Sequence, residues 1–274
     1  MKPARFDYVR AESADEALEM LHQEGGDARV LAGGQSLLPM LNMRLARPAV
    51  VVDIMRVPEW RKVAHEGGVM RIGAAVRQAE IERDPELKKR QPLLAAALPW
   101  VGHEQTRSRG TVCGSIAHAD PSAELPLVLT ALGGTVHLRS RRKARGVSAD
   151  EFFTGMMATA KADDEMVEAV SLPAAKPGTG YAFREVARRH GDFAIIACAA
   201  VVNGSSVRLA VGGVADRPVA RAMPADPKQL AAALDRFAWE LDARDDLHAT
   251  AQYRRELVRR LGMAVIEEAQ RCRV

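Results

Sequence analysis

The sequence predicts an α+β protein built from several small lobes, and three observations lead to this fold class. The chain has 274 residues, which is long for one compact core and suits two or three lobes. Its first 55 residues alternate between helical and strand patterns. Beyond the proline- and glycine-rich segment 173–180, strand patterns follow one another in series and helical patterns come after them.

The first segment has the order helix, strand, glycine turn, helix, strand. A capping-box pattern at Ser13 predicts the start of the first helix. Residues 29–32 form a short strand pattern that leads into the turn 33–36 and then an amphipathic helix over 37–45. The run of apolar β-formers at 50–54 is typical of a buried strand.

The second segment mixes strands and helices. Its patterns predict strands at 70–76, 135–139 and 165–172 and helices at 79–83, 92–101 and 124–132. The stretch 110–115 is bounded by glycines and fits neither periodicity, which indicates a loop before a helix. The basic turn 139–145 indicates a solvent-facing hairpin.

The third segment begins after the linker 173–180. Three strands are predicted in series at 181–186, 194–202 and 207–214, and an Asn-Gly pair at 203–204 indicates a hairpin. Helices are predicted at about 227–242 and 250–270.

The charge, hydropathy and cysteine spacing of the sequence argue against nucleic-acid-binding, membrane-spanning and metal-binding proteins. The net charge of +4 is spread along the chain and aromatic residues make up only 4%, so a nucleic-acid partner is not predicted. No apolar stretch is long enough to cross a bilayer and the N-terminus lacks a signal-peptide core, which predicts a cytoplasmic protein without a membrane span. Three distant cysteines without a CxxC pair predict neither an iron–sulfur cluster nor a zinc site on this chain.

The first candidate site is Ala32-Gly33-Gly34-Gln35-Ser36, where a strand runs into paired glycines and a helix start. Glycines let the backbone approach a ligand, and free N–H groups at a helix start favour an anion such as a phosphate or pyrophosphate. The stretch is neither a Walker A loop nor a GxGxxG fingerprint. The alternative is a tight strand-to-helix turn with no ligand.

The second candidate is the Gly- and Ser/Thr-rich stretch 110–121, whose alternative is an ordinary loop. Within and just beyond it, His118, Asp120 and Glu124 have ligand chemistry, but the usual helical His spacings are absent and no metal site is predicted. Nothing nearby in sequence activates Cys113, and no GxSxG occurs, so no catalytic residue is predicted. A third candidate is the charged turn within 184–194, whose alternative is a solvated hairpin tip holding an ion pair of Asp192 with its neighbouring arginines.

Three stretches together resemble a known family. AGGQSLLPMLNMRLARPAVVVDI, HEQTRSRGTVCGSIAHADPSAELP and YAFREVARRHGDFAIIA are similar to the FAD-binding medium subunit of the molybdenum hydroxylases, of the carbon monoxide, xanthine and nicotine dehydrogenase type. The resemblance is collinear from about residue 5 to 215. It implies a two-lobed vanillyl-alcohol-oxidase-type (PCMH-type) FAD-binding domain followed by a C-terminal three-stranded sheet with a helical bundle. The expected divisions are lobe 1 at 1–57, lobe 2 at 58–176 and the C-terminal domain at 177–274.

The resemblance also implies a binding site for non-covalent FAD between the lobes. The backbone of Ala32, Gly33, Gly34, Gln35 and Ser36 would wrap the pyrophosphate, and a second stretch would do so from the other side. The members of that second stretch are Thr111, Val112, Cys113, Gly114 and Ser115. The remaining implied positions are Glu124 near the AMP ribose, Val101 and Val167 as apolar lining, Arg184 where some relatives have a basic residue, and Phe193 where the carbon monoxide dehydrogenase type has a Tyr near the isoalloxazine.

The implied function is electron transfer. A subunit of this kind takes electrons from iron–sulfur clusters and passes them to an external acceptor, while the clusters and the molybdenum cofactor belong to a small and a large partner subunit in a heterotrimer. Two alternatives are a stand-alone flavin oxidase or dehydrogenase, and a degenerate scaffold subunit that has lost FAD. The sequence departs from the family pattern at two of the implied FAD-binding positions. Cys113 stands where the family has Gly, which costs on the order of 1 kcal/mol if the backbone φ is positive there. Phe193 stands where the carbon monoxide dehydrogenase type has Tyr.

Overall fold

The computed structural model describes residues 2–273, so the predicted domain ends at Met1 and Val274 lie outside the described residues. The first lobe is a three-stranded parallel sheet in the order β1-β3-β2. Its strands are β1 (Asp7–Arg10), β2 (Ala28–Leu31) and β3 (Val50–Asp53), and its helices are α1 (Ala14–Glu24) and α2 (Leu37–Asn42). The central β3 is buried, as its run of valines predicts.

The second lobe is a five-stranded antiparallel sheet in the order β4-β5-β10-β6-β7. The strands are β4 (Val63–Glu66), β5 (Val69–Gly73), β6 (Thr135–Arg139), β7 (Ala144–Ser148) and β10 (Met166–Pro173), with a small hairpin of β8 (Phe153–Gly155) and β9 (Ala158–Thr159). The helices are α3 (Gln78–Glu82), α4 (Leu87–Arg90), α5 (Pro92–Ala97), α6 (Glu104–Arg107), α7 (Val112–His118), α8 (Glu124–Leu132) and α9 (Ala149–Phe152). All but α9 lie between β5 and β6.

The C-terminal sheet has four antiparallel strands, so the predicted count of three is wrong. The strands are β11 (Thr179–Val186), β12 (Ile196–Asn203), β13 (Ser206–Gly212) and β14 (Val219–Met223), followed by α10 (Pro227–Glu240) and α11 (Ala251–Arg271). The missed strand β14 is an edge strand, and within the described residues it pairs with β13 alone. Because most of its side chains remain at least partly exposed, it lacks the apolar run by which the other three were found.

The C-terminal sheet is covered on both faces. Cys198 and Ala200 of β12 belong to a core shared with α10 and α11, whereas Ala197 and Ala199 belong to the core of the two preceding lobes. This explains why β12 is apolar at almost every position. Because Ala197 and Ala199 pack into the core of the preceding lobes, the turn between β11 and β12 lies beside the second lobe.

The stretch 110–115 does not form the loop that its pattern suggested, because most of it lies in α7. The Thr111 hydroxyl caps this helix by accepting a hydrogen bond from the Gly114 N–H at 3.0 Å. The helix has only seven residues, including Gly and Ser, so its periodicity is too short to be recognised in the sequence.

The basic turn 139–145 is a hairpin, but it is not free in solvent. Arg141 contacts Glu19 of α1 with Nε 2.7 Å from a carboxylate oxygen. Arg145 binds the buried Glu165 through two hydrogen bonds of 2.7 and 2.8 Å. The turn therefore links the second lobe to the first. None of the helices within residues 2–273 is both long and apolar enough to cross a membrane.

Candidate functional site

A cleft of about 660 Å³ lies between the two N-terminal lobes and the β11–β12 turn. Its volume is in the range of small-molecule and cofactor sites. It brings together thirteen of the fifteen site residues implied by the sequence. These are Ala32, Gly33, Gly34, Gln35, Ser36, Val101, Thr111, Cys113, Gly114, Ser115, Glu124, Val167 and Phe193.

The β2–α2 loop presents a row of free backbone donors. The amide groups of Gly33, Gly34, Gln35 and Ser36 make no hydrogen bond to any acceptor within residues 2–273. All four residues line the cleft. Because a backbone N–H is costly to leave without a partner, these four groups are suited to bind an anionic ligand.

Glycine is required at this loop by close contact and by conformation. A Cβ on Gly33 would lie 2.4 Å from the Arg109 carbonyl oxygen and 2.5 Å from the Gly110 Cα. The first loop therefore touches the segment that leads into α7. Gly34 has a φ of +71°, a conformation that side chains disfavour.

The N-terminus of α7 forms the facing wall of the cleft. A Cβ on Gly114 would lie 2.7 Å from the Thr111 hydroxyl that caps the helix, so glycine keeps this cap compact. The Cys113 amide has no acceptor among the described residues, as expected in the first turn of a helix.

The backbone at Cys113 shows that the cysteine is accommodated. It is helical and Cys113 is not among the residues with positive φ, so the side chain causes no backbone strain. The thiol is buried and lies 3.4 Å from the Ile72 carbonyl oxygen, to which it donates a hydrogen bond. Burial raises the pKa of Cys113 to about 12, which keeps the thiol protonated and unreactive.

An acidic residue stands at the start of α8. Glu124 is only 5% exposed and lines the cleft, and its side chain makes no hydrogen bond to another described side chain. Burial, together with repulsion from Asp120, raises the pKa of Glu124 to about 7. The carboxyl group can therefore donate or accept a hydrogen bond near neutral pH.

Several polar residues of the cleft were not found by sequence reasoning. Gln78 is buried and donates from Nε2 to the Thr111 carbonyl oxygen at 3.3 Å, while its Oε1 has no hydrogen-bond partner in the part of the chain that the structure describes. Lys161 lines the cleft with its ammonium 2.8 Å from the Ala162 carbonyl oxygen, and burial lowers its pKa. Arg29 and Asp163 lie in the same lining. None of these residues stands in a sequence motif, so only the tertiary fold reveals them.

The β11–β12 turn closes one side of the cleft. Phe193 lines the cleft but is 67% exposed, which places this ring at the mouth. Gly191 packs against His103, where a Cβ would approach the imidazole to 2.6 Å. Asp192 also lines the cleft, and its amide donates to the Arg189 carbonyl oxygen at 3.1 Å, but no ion pair joins its carboxylate to Arg188 or Arg189 within the described residues.

Two of the implied residues lie outside the cleft. Val112 is 2% exposed and packs in the core beneath α7. Arg184 points to the opposite face of β11, where its Nε lies 2.6 Å from a carboxylate oxygen of Glu268 on α11. His118, Asp120 and Glu124 line the cleft, but no group of three metal-binding side chains forms among residues 2–273.

Comparison with known proteins gives matches along almost the whole chain. Residues 4–175 match the family described as the FAD-binding domain in molybdopterin dehydrogenase, and residues 181–269 match the C-terminal domain of the carbon monoxide dehydrogenase flavoprotein. The nicotine 6-hydroxylase medium subunit of Paenarthrobacter nicotinovorans is 37% identical, with 98% of this chain and 99% of the relative covered. The caffeine dehydrogenase subunit beta of a Pseudomonas strain is 34% identical, with 94% of this chain and 92% of the relative covered.

Among solved structures, a carbon monoxide dehydrogenase from Hydrogenophaga pseudoflava superposes with a TM-score of 0.93. The two chains are 33% identical, and the match covers 99% of this chain and 100% of the other. Fold, cleft and sequence therefore lead to one assignment. This chain belongs to the family of FAD-binding medium subunits of the molybdopterin-dependent dehydrogenases and hydroxylases.

Proposed function

We propose that the cleft binds FAD without covalent attachment and that the chain acts as the electron-transfer medium subunit of a molybdenum hydroxylase. The observation that carries the proposal is the row of four amides from Gly33 to Ser36, which line the cleft and have no acceptor within residues 2–273. A pyrophosphate offers the acceptors that these donors need. The glycine contact between the first loop and the Arg109–Gly110 backbone supports the fit, because it sets the two walls close together.

Different residues of the cleft bind different parts of FAD. Gly33 to Ser36 and the first turn of α7 donate to the pyrophosphate from two sides, while the Glu124 carboxyl binds ribose hydroxyls. Val101 and Val167 supply apolar walls, and both are buried. Phe193 at the mouth covers the ring system and limits its contact with water. When bound, FAD supplies redox chemistry that the side chains of this chain do not provide.

The proposed reaction needs no acid or base on this chain. The protein holds the cofactor, excludes water from it and keeps it close to the partner that delivers electrons. We propose as partners a small iron–sulfur subunit and a large subunit with the molybdenum cofactor, since relatives are named as subunits or chains of such complexes. The names of the relatives indicate that they act on nicotine, caffeine and carbon monoxide. Similar medium subunits that serve such different substrates are consistent with a substrate site on a different polypeptide. We also propose a cytoplasmic location.

The two alternatives receive no support from particular residues. A stand-alone oxidase would act without partners, whereas the relatives of this chain are named as subunits of larger complexes. The degenerate scaffold relied on strain at Cys113, and the helical backbone there removes that argument.

Electron transfer is tested by anaerobic mixing. The FAD-loaded chain is combined with its chemically reduced iron–sulfur partner, which gives one electron per cluster while FAD takes two. We expect the flavin fluorescence to fall with time while the absorbance of the clusters at wavelengths longer than the flavin bands recovers. An oxidised partner is the control and leaves both signals unchanged. Reduction by a small organic substrate without any partner would instead support the stand-alone oxidase.

A further inference from the structure

A buried arginine of α11 binds two backbone carbonyl groups at one end of the C-terminal sheet. Arg254 is only 5% exposed. Its Nη1 donates to the Ile195 carbonyl oxygen at 2.7 Å and also to the Gly213 carbonyl oxygen. Its Nη2 donates to a carboxylate oxygen of Asp246 at 2.5 Å. Because a buried charge is costly unless it is paired and hydrogen-bonded, these contacts hold the guanidinium and both carbonyl groups in one arrangement.

The first of these carbonyl groups belongs to the turn between β11 and β12. Ile195 stands at the base of this turn, where its amide donates to the Val186 carbonyl oxygen at 2.8 Å. Phe193, at the mouth of the cleft, comes two residues before Ile195, and two residues span at most about 7 Å. Within residues 2–273, Arg254 lies outside the lining of the cleft. It therefore holds the turn from behind, close to Phe193.

The second carbonyl group connects Arg254 to another wall of the cleft. The Gly213 amide donates to the Pro121 carbonyl oxygen at 2.7 Å. Pro121 comes three residues before Glu124, which lines the cleft at the start of α8. One guanidinium thus braces both the turn that carries Phe193 and, through Gly213, the segment that leads to Glu124.

We propose that Arg254 is a positioning residue for the flavin, which holds the β11–β12 turn so that Phe193 covers the ring system of FAD. This inference rests on the proposed function, in which Phe193 limits the contact of the flavin with water. Arg254 acts through the backbone of Ile195 and not by contact with the cofactor. The C-terminal domain therefore contributes to the FAD site from α11, a helix outside the cleft.

Two variants separate the charge of Arg254 from its bulk. Arg254→Met and Arg254→Lys introduce unbranched side chains of similar length, but only lysine keeps the positive charge and hydrogen-bond donors. A lysine ammonium lacks the planar fork of a guanidinium, so it replaces Arg254 only in part. A role as mere packing material would make the two variants alike.

The same helix offers a matched control. The Nη2 of Arg259 lies 2.7 Å from a carboxylate oxygen of Asp235 on α10, and its Nη1 donates to Glu256 at 3.3 Å. Arg259→Met therefore makes the same chemical change on α11 and also removes an ion pair. Because the side chain binds carboxylates of α10 and α11 and not the sheet, this variant leaves the β11–β12 turn in place.

The first measurement is quenching of the bound flavin's fluorescence by iodide. Phe193→Ala should raise the quenching constant, because it removes the cover itself. Arg254→Met should raise it as well, and Arg254→Lys should give a value between those of Arg254→Met and the unchanged chain. Arg254→Met combined with Phe193→Ala should be quenched no more than Phe193→Ala alone, because both changes act on the same contact. A loss of stability alone would not give this non-additive result.

The second measurement is the Kd for FAD. We expect Arg254→Met to raise this Kd by about tenfold or more, and Arg259→Met to change it by less than about twofold.

Asp246→Asn tests the same contact without removing the buried arginine. The Asp246 side chain is 47% exposed, and its Oδ1 accepts from the His248 and Ala249 amides at 2.8 and 2.9 Å. Asparagine keeps that oxygen but places an NH2 group opposite Arg254, where an acceptor is needed. Both measurements should shift in the same direction as for Arg254→Met, by a smaller amount. If Arg254→Met does not fold, Asp246→Asn and Arg254→Lys decide the question.

The other outcomes separate this inference from the proposed function. If the unchanged chain binds FAD and the Arg254 and Asp246 variants match it in quenching, the inference is wrong while the proposed function stands. It is also wrong if the effects of Arg254→Met and Phe193→Ala on quenching add, if Arg259→Met has the effect of Arg254→Met, or if Phe193→Ala leaves quenching unchanged. If the unchanged chain does not bind FAD, the proposed function itself fails.

Discussion

Gly33→Ala offers a direct test of how the cleft is built. The new Cβ would lie 2.4 Å from the Arg109 carbonyl oxygen, about 1 Å closer than ordinary contact allows. Both contacting groups are backbone atoms, so the two loops must move apart. Forcing extra atoms into a packed contact costs about 1–3 kcal/mol. Because the displaced loop carries the four free amides, we expect the Kd for FAD to rise by about 5- to 150-fold.

The assay is a titration of the FAD-free chain with FAD, followed by quenching of flavin fluorescence. Gly155→Ala is the control, since its Cβ would meet nothing closer than 3.9 Å and its φ is not positive. This control should bind FAD like the unchanged chain. A Kd for Gly33→Ala that matches the Gly155→Ala value would show that the contact between the loops does not organise the binding site.

Three further predictions concern buried ionisable groups. Burial raises the pKa of Glu185 to about 8, and neither of its carboxylate oxygens has a hydrogen-bond partner among residues 2–273, so folded stability falls as pH rises from about 4.5 to 8. Glu185→Gln should therefore raise the unfolding temperature by roughly 5 °C at pH 8 and leave it unchanged at pH 4.5. An equal rise at both pH values would contradict this explanation. Arg145→Ala should lose about 3 kcal/mol in urea unfolding at pH 7, because the hydrogen bond from Arg145 holds the pKa of buried Glu165 at about 2. That loss should shrink between pH 4.5 and 2, as the carboxylate gains its proton, and a constant loss would exclude the ion pair as its cause. Iodoacetamide at pH 8 should add one group to the native chain, at exposed Cys272, and a second adduct at Cys113 would show that its thiol is accessible.

The sequence predicts most of the residues that the structure brings together in the cleft, because glycines mark where the backbone can approach a ligand. Gly33 and Gly34 follow a strand and precede a helix, and this local order is typical both of an anion site and of a tight turn with no ligand. The resemblance of three collinear stretches adds Glu124 and Phe193, which the structure finds in the same cleft.

Each feature that the sequence did not predict correctly has its own physical reason. Gln78 and Lys161 enter the cleft only through tertiary packing and stand in no periodic pattern. The helix α7 is too short to show a period, and β14 is an edge strand whose exposed side chains weaken its pattern. Arg184 was inferred from the resemblance alone, but alternation along β11 turns its side chain towards α11 and away from the cleft.

The central claim is that the cleft holds FAD, and the visible spectrum of the purified chain tests it most directly. We predict a two-banded flavin spectrum, and we predict that acid releases a free cofactor with the mass of FAD, which confirms non-covalent binding. A chain that is colourless as purified and stays so after FAD is added and the excess removed would contradict the account.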